Sequence, residues 1–161
     1  MENTELLLLH YTMNTKESLY NLCKNYVDNR LETVENIIFS NQKALQSETK
    51  SSAGDKHETG RAMLQLEMEK AGQQLAGISK MRLILAKIDL LNTSKNVHLG
   101  SIVYTNKATY FLSISAGQLK VANKPFFAIS LFSPIGKLLL GKQENDEVVF
   151  NGQSFKIISI E

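Results

Sequence analysis

From Thr15 to about Gln46 the apolar side chains recur at Leu19, Leu22, Tyr26, Val27, Leu31, Val34, Ile37, Ile38 and Leu45, mostly three or four residues apart. That spacing draws one stripe along a helix, and neither proline nor glycine interrupts it. A second stripe passes through Leu64, Met68, Ala71, Leu75, Ile78, Met81, Leu85 and Ile88, close to a sustained heptad seam. Between the two, Ser47 to Gly54 is small and polar, the composition of a turn. Neither helix can bury its stripe alone, and a short connection favours antiparallel neighbours. The pattern predicts a two-helix coiled-coil hairpin. About thirty residues per arm at about 1.5 Å rise give a rod on the order of 45 Å long, with its tip held away from its base.

After Asn92-Thr93-Ser94 the period changes. Residues 102–105, 109–115, 118–121, 126–131, 147–150 and 154–160 are short runs rich in β-branched and aromatic side chains, as strands are. Turns are expected at Asn106-Lys107, Ala116-Gly117 and Asn151-Gly152. The last is the strongest hairpin signal, because Asn and Gly accept the positive φ angles of a type I′ turn. A short helix over 135–140 is expected to end at Gly141 as its C′ residue. The fold class is therefore α+β: a helical hairpin over residues 13–94, then a small β-rich domain over 95–161. Residues 1–12 fit neither stripe and are read as a frayed extension.

Composition narrows the possible chemistry. With 161 residues, 43% apolar and 21% charged, the chain is long enough for two small folded units. A net charge of +2 argues against duplex nucleic acid as the main partner. The charge is uneven: 1–94 carry 11 basic and 12 acidic side chains, whereas 95–161 carry 7 and 4. A mildly basic end reads first as ordinary solvation and only second as a surface for docking on an acidic protein. Cys23 is the only cysteine, which excludes an intrachain disulfide and paired-cysteine zinc sites. His10, His57 and His98 share no metal-ligand spacing. The apolar run Leu6 to Leu9 is too short for a leader or a membrane span, so a cytoplasmic protein without membrane contact is expected.

No phosphate loop, nucleophile elbow, dinucleotide fingerprint or HExxH pattern occurs, and no small-molecule substrate is indicated. Cys23 falls in the first helical stripe and reads as a buried structural thiol. The one concentrated polar group is Gly54-Asp55-Lys56-His57-Glu58-Thr59-Gly60-Arg61, where the hairpin should turn. Asp55 is a suitable N-cap, and Glu58 stands three residues on, as in a capping box. Both carboxylates also suit the positive end of the helix dipole. Capping alone explains their spacing. It does not explain why Lys56, His57 and Arg61 crowd the same tip.

Gly54-Asp55-x-x-Glu58, followed by an alanine-bearing arm from Ala62 to Ala76, resembles the acidic hairpin tip of Gre-type transcript-cleavage factors. Some eighty residues on, Ser133-Pro134-Ile135-Gly136-Lys137-Leu138-Leu139-Leu140-Gly141-Lys142, then acidic residues, Val148-Val149 and Phe155-Lys156-Ile157-Ile158, resembles the end of that family's FKBP-like C-terminal domain. The resemblance implies a factor with no catalysis of its own. Its hairpin would enter the secondary channel of bacterial RNA polymerase, near the nascent RNA 3′ end. Asp55 and Glu58 would help to hold a Mg²⁺ shared with the polymerase, and Ser133, Pro134, Ile135 and Gly136 would bind the partner. Hard oxygen donors suit Mg²⁺, although two carboxylates alone would hold it weakly.

The resemblance breaks in two places. Thr59-Gly60-Arg61-Ala62 replaces the family's Asn-Ala-Glu-Tyr-like run, and Phe132 stands where a polar residue is common. A polymerase-binding regulator of the same fold without cleavage activity is therefore one alternative. A coiled-coil adaptor unrelated to transcription is another. Prolyl isomerase activity is disfavoured, since fold does not carry function and no Trp is present to floor an apolar peptide pocket.

Overall fold

The computed structural model describes the backbone of residues 2–50 and 55–161, and the side chains of 15–48 and 58–161. Two long helices come first, α1 (Glu2–Lys50) and α2 (Asp55–Ala86). They are followed by β1 (Ile102–Thr105), β2 (Thr109–Ser113), β3 (Gly117–Val121), β4 (Lys124–Ser130), the short helix α3 (Pro134–Leu139), β5 (Glu147–Phe150) and β6 (Gln153–Ile160). The architecture is the expected α+β one, two long helices followed by a six-stranded mixed sheet. No helix among the described residues is long and apolar enough to cross a membrane.

α1 exceeds its predicted range at both ends. Ser47 to Lys50, expected in the turn, continue the helix, because no helix breaker stands there and only Gly54 ends the run of compatible residues. Residues 51–54, and with them the turn itself, lie outside the described residues. At the other end the helix is already formed from Glu2, so the backbone of the segment read as an extension continues α1.

Two compact units divide the chain: Met1–Asn25 with Leu83–Glu161, and Tyr26–Arg82. In the second unit the two arms are antiparallel. Arg82 Nη2 bonds Asp28 Oδ1 at 3.0 Å, Asn41 and Ala71 line one groove, and the Glu48 carboxylate lies beside Gly60. The seam is narrow. Val27, Val34, Ala71 and Ile78 are buried, and Leu31, Ile38, Leu45, Leu64, Met68 and Leu75 are half-buried.

In the first unit the strands follow the order β3-β4-β2-β1-β6-β5. All pairs are antiparallel except β2 with β4, which run parallel with Tyr110 opposite Phe127 and Leu112 opposite Ile129. Both faces of the central strands are covered. On one face Val103, Leu112, Leu139, Val148, Phe155 and Ile157 form the core with Val97. The alternating residues Ile102, Phe111 and Ser113 are just as buried, and Ser113 Oγ lies 3.6 Å from Cys23 Sγ of α1. The start of the helical arm thus covers the second face of a sheet whose own core would be marginal.

Candidate functional site

At the predicted tip, α2 begins at Asp55 and places Glu58 in its first turn. Glu58 is exposed. The side chains of Asp55, Lys56 and His57 lie outside the described residues, and the expected capping box lies there with them. One further carboxylate reaches this end of the hairpin. A β-carbon built on Gly60 would meet Glu48 Oε1 at 3.5 Å. That is ordinary van der Waals contact, so a small side chain would fit at this position and Glu48 does not account for the glycine. Glu48 was not apparent in the sequence, because it stands in the segment that reads as a turn. Glu48 and Glu58 supply hard oxygen donors of the kind Mg²⁺ takes. Among the described residues no three His, Cys, Asp or Glu side chains assemble as a metal site.

The second predicted group, Ser133 to Gly136, is built by local chemistry. Ser133 is the N-cap of α3, with φ −68° and ψ 155°. Its Oγ accepts from the Gly136 backbone N–H at 3.1 Å and donates to the Ser130 carbonyl at 2.6 Å. Pro134 opens the helix, where its fixed φ fits and its missing N–H is not needed. Gly136 is buried, and a β-carbon there would overlap the Ser130 carbonyl oxygen. Ile135 packs on the core. Of the four residues only Pro134 is exposed. The larger surface feature is one residue earlier: Phe132 is 74% exposed, with Leu138 and Leu140 also open on the same short segment.

Cys23 is fully buried, and burial pushes its thiol above the ordinary range against a smaller downward effect of the Ser113 hydroxyl. A raised, enclosed thiol is a poor nucleophile, as the sequence implied. Lys16 is also buried. Loss of hydration holds its ammonium below the usual range, opposed by the charges of Glu161 and Asp89, and its Nζ reaches the Asn92 carbonyl at 3.4 Å.

A groove of about 650 Å³ lies on one face of the arms. Asn41 lines it, 7% exposed, with an Nδ2 that is enclosed and has no hydrogen-bond partner among the described residues. Asn41 is the step missing between Ile38 and Leu45 in the first apolar stripe, a polar residue at a seam position. No protein-family model matches the chain, and no curated protein matches it.

Proposed function

We propose that this protein is a Gre-type factor acting on bacterial RNA polymerase. Its helical hairpin enters the secondary channel, and Asp55 and Glu58 at the turn of the hairpin face the polymerase's catalytic centre. The carrying observation is the position of Glu58, an exposed carboxylate in the first turn of α2, the helix whose backbone begins at Asp55. Support also comes from the other end of the chain. The Ser133-Pro134-x-Gly136 segment forms a capped helical turn beside a small mixed sheet, which is compatible with the FKBP-like C-terminal domain that the resemblance implies.

In this reading Asp55 and Glu58 contribute oxygen ligands to a Mg²⁺ that the polymerase also holds. Bound there, such an ion stabilises the attacking and leaving oxygens during hydrolysis of the transcript. The chain's own contribution is to position carboxylates. The Glu48 carboxylate, beside Gly60, adds negative charge at this end of the hairpin. Pro134 and its exposed neighbour Phe132 offer the partner a surface on the β domain.

Shortening of RNA in a defined backtracked complex is the test. Wild-type protein is expected to accelerate it, and Asp55→Ala with Glu58→Ala to abolish the acceleration while polymerase is still bound. An unchanged rate in the double variant would remove the tip from the mechanism. The Thr59-Gly60-Arg61-Ala62 run favours a second reading, in which the protein binds polymerase and alters initiation or pausing without cleavage. Binding with no shortening by wild type would select it. Failure to bind polymerase would favour the coiled-coil adaptor.

A further inference from the structure

We propose that the gap between the β1–β2 turn and the start of β4 holds one nucleotide of a single-stranded nucleic acid, its base against Phe127 and its two flanking phosphates at Lys107 and Lys124. β4 begins at Lys124, but its pairing with β2 starts only where Phe127 meets Tyr110. The first three residues of β4 therefore pair with β3 alone. Pro125 is one of them, and it has no N–H with which to extend a ladder on the other side. A pocket of about 360 Å³ opens there, with Tyr104, Lys107, Lys124, Pro125 and Phe127 in its lining. Its volume is that of a small-ligand site.

Charge points to an anion. None of the residues that line the pocket is acidic, and two are exposed lysines. Lys120, also exposed, stands opposite Pro125 on β3. Lys107 Nζ bonds a neutral partner, Gln153 Oε1, at 3.2 Å. Neither Lys107 nor Lys124 is joined to a carboxylate among the described residues. Three acids of the β domain, Glu144, Asp146 and Glu147, lie in or just before β5, at the opposite edge of the sheet from β3 and β4. The fourth, Glu161, accepts from the Tyr104 hydroxyl at 3.2 Å. Like charges gathered at one edge, with most counter-charges at the other, favour a bound anion.

The aromatic lining separates a nucleotide from an acidic peptide. Phe127 is 37% exposed and packs on Tyr110, with ring centroids 6.2 Å apart, and Tyr110 packs in turn on Phe155. A braced ring beside ammonium groups offers a base a stacking surface and its phosphates a counter-charge. Glutamate or aspartate side chains would use the lysines and leave the ring unused. A single strand can turn a base into the pocket, whereas a duplex keeps its bases stacked and paired. The site lies on the β domain, so it does not depend on the carboxylates at the turn of the hairpin.

Fluorescence anisotropy of a short labelled single-stranded RNA with the full chain, over a salt series, tests the proposal, and circular dichroism verifies folding. Wild type is expected to bind at low salt and to lose affinity as salt is added. Lys107→Gln and Lys124→Gln are each expected to weaken binding several-fold and to lower the salt slope by about 0.7, the share of one phosphate on a single strand. Phe127→Leu keeps an apolar side chain without a flat face. It is expected to weaken binding about fivefold and to leave the slope unchanged. Lys95→Gln, outside the pocket, is expected to change neither. Adenosine monophosphate has a base but one phosphate, and is expected to compete only at far higher concentration. Competition at equal concentration would make a free nucleotide the ligand and overturn the strand. Absence of binding by wild type, binding untouched by the three pocket variants, or displacement of the RNA by an equal concentration of a glutamate-rich peptide would overturn the proposal.

Discussion

The Oγ of Ser133 joins the carbonyl of Ser130 to the N–H of Gly136, at 2.6 Å and 3.1 Å, and so closes the turn that opens α3. The approach is so tight that Gly136 has no space for a side chain: an added β-carbon would overlap the Ser130 carbonyl oxygen. Backbone, not a flexible side chain, is the obstacle. Gly136→Ala is therefore expected to destabilise the β domain by about 2–4 kcal/mol, the scale of overpacking that the backbone must absorb. Ser133→Ala, which removes the cap but adds no clash, is expected to cost about 1 kcal/mol. Denaturant midpoints of the two variants check the order. If Ser133→Ala proved the more damaging, the turn would not be held as described.

Cys23 gives a pH signature. Its thiol is enclosed between α1 and β2, and burial raises it above its ordinary value of 9.0. A raised acid means that the unfolded chain loses its proton first. Stability from this group is complete below pH 9.0 and declines as pH rises from there towards the folded value. Cys23→Ala is expected to flatten that decline, at the cost of a small cavity worth about 1 kcal/mol at neutral pH. Unfolding curves between pH 7 and 10 measure both effects. Alkylation of native wild-type protein at pH 8 is expected to be far slower than that of the unfolded chain.

Much of the β domain was legible because its turns carry their own chemistry. β1 and β5 fall where they were expected, and Asn151 and Gly152 have φ of +50° and +74°, as a type I′ hairpin needs. Gly141, at φ +78°, follows α3 as predicted. The β3–β4 hairpin was not signalled, since Ala122 takes φ +49° beside Asn123 at +63°, a conformation alanine seldom adopts. The parallel pairing of β2 with β4 was also invisible: nothing local tells a strand to choose a partner past its neighbour in sequence. In the helices the apolar stripe was readable. It could not reveal Asn41, which holds a seam position as a polar residue. For the same reason it missed Glu48, which a polar segment disguised as a turn.

Asp28 and Arg82 make an exposed ion pair at 3.0 Å, with side chains 44% and 54% accessible. Water screens such a pair, and two long side chains lose freedom to form it. Arg82→Ala is expected to lower the stability of the hairpin by less than about 1 kcal/mol. Added salt is expected to erase most of the difference between variant and wild type. Thermal unfolding at low and high ionic strength measures it. A large, salt-resistant loss would mean that the pair fixes the register of the arms, which the seam residues are here held to do.

Asn41 offers the opposite sign. Its Nδ2 is enclosed without a partner, and an unsatisfied buried donor costs about 1–3 kcal/mol. Ala71, which lines the same groove, is small, and the groove provides room. Asn41→Leu therefore extends the apolar stripe without overpacking and is expected to stabilise the hairpin by about 1–2 kcal/mol. The rise is expected to be visible as a higher midpoint in the loss of helical circular dichroism. If Asn41→Leu proves less stable than wild type, the amide is satisfied in solution, and Asn41 is an ordinary structural residue of the seam.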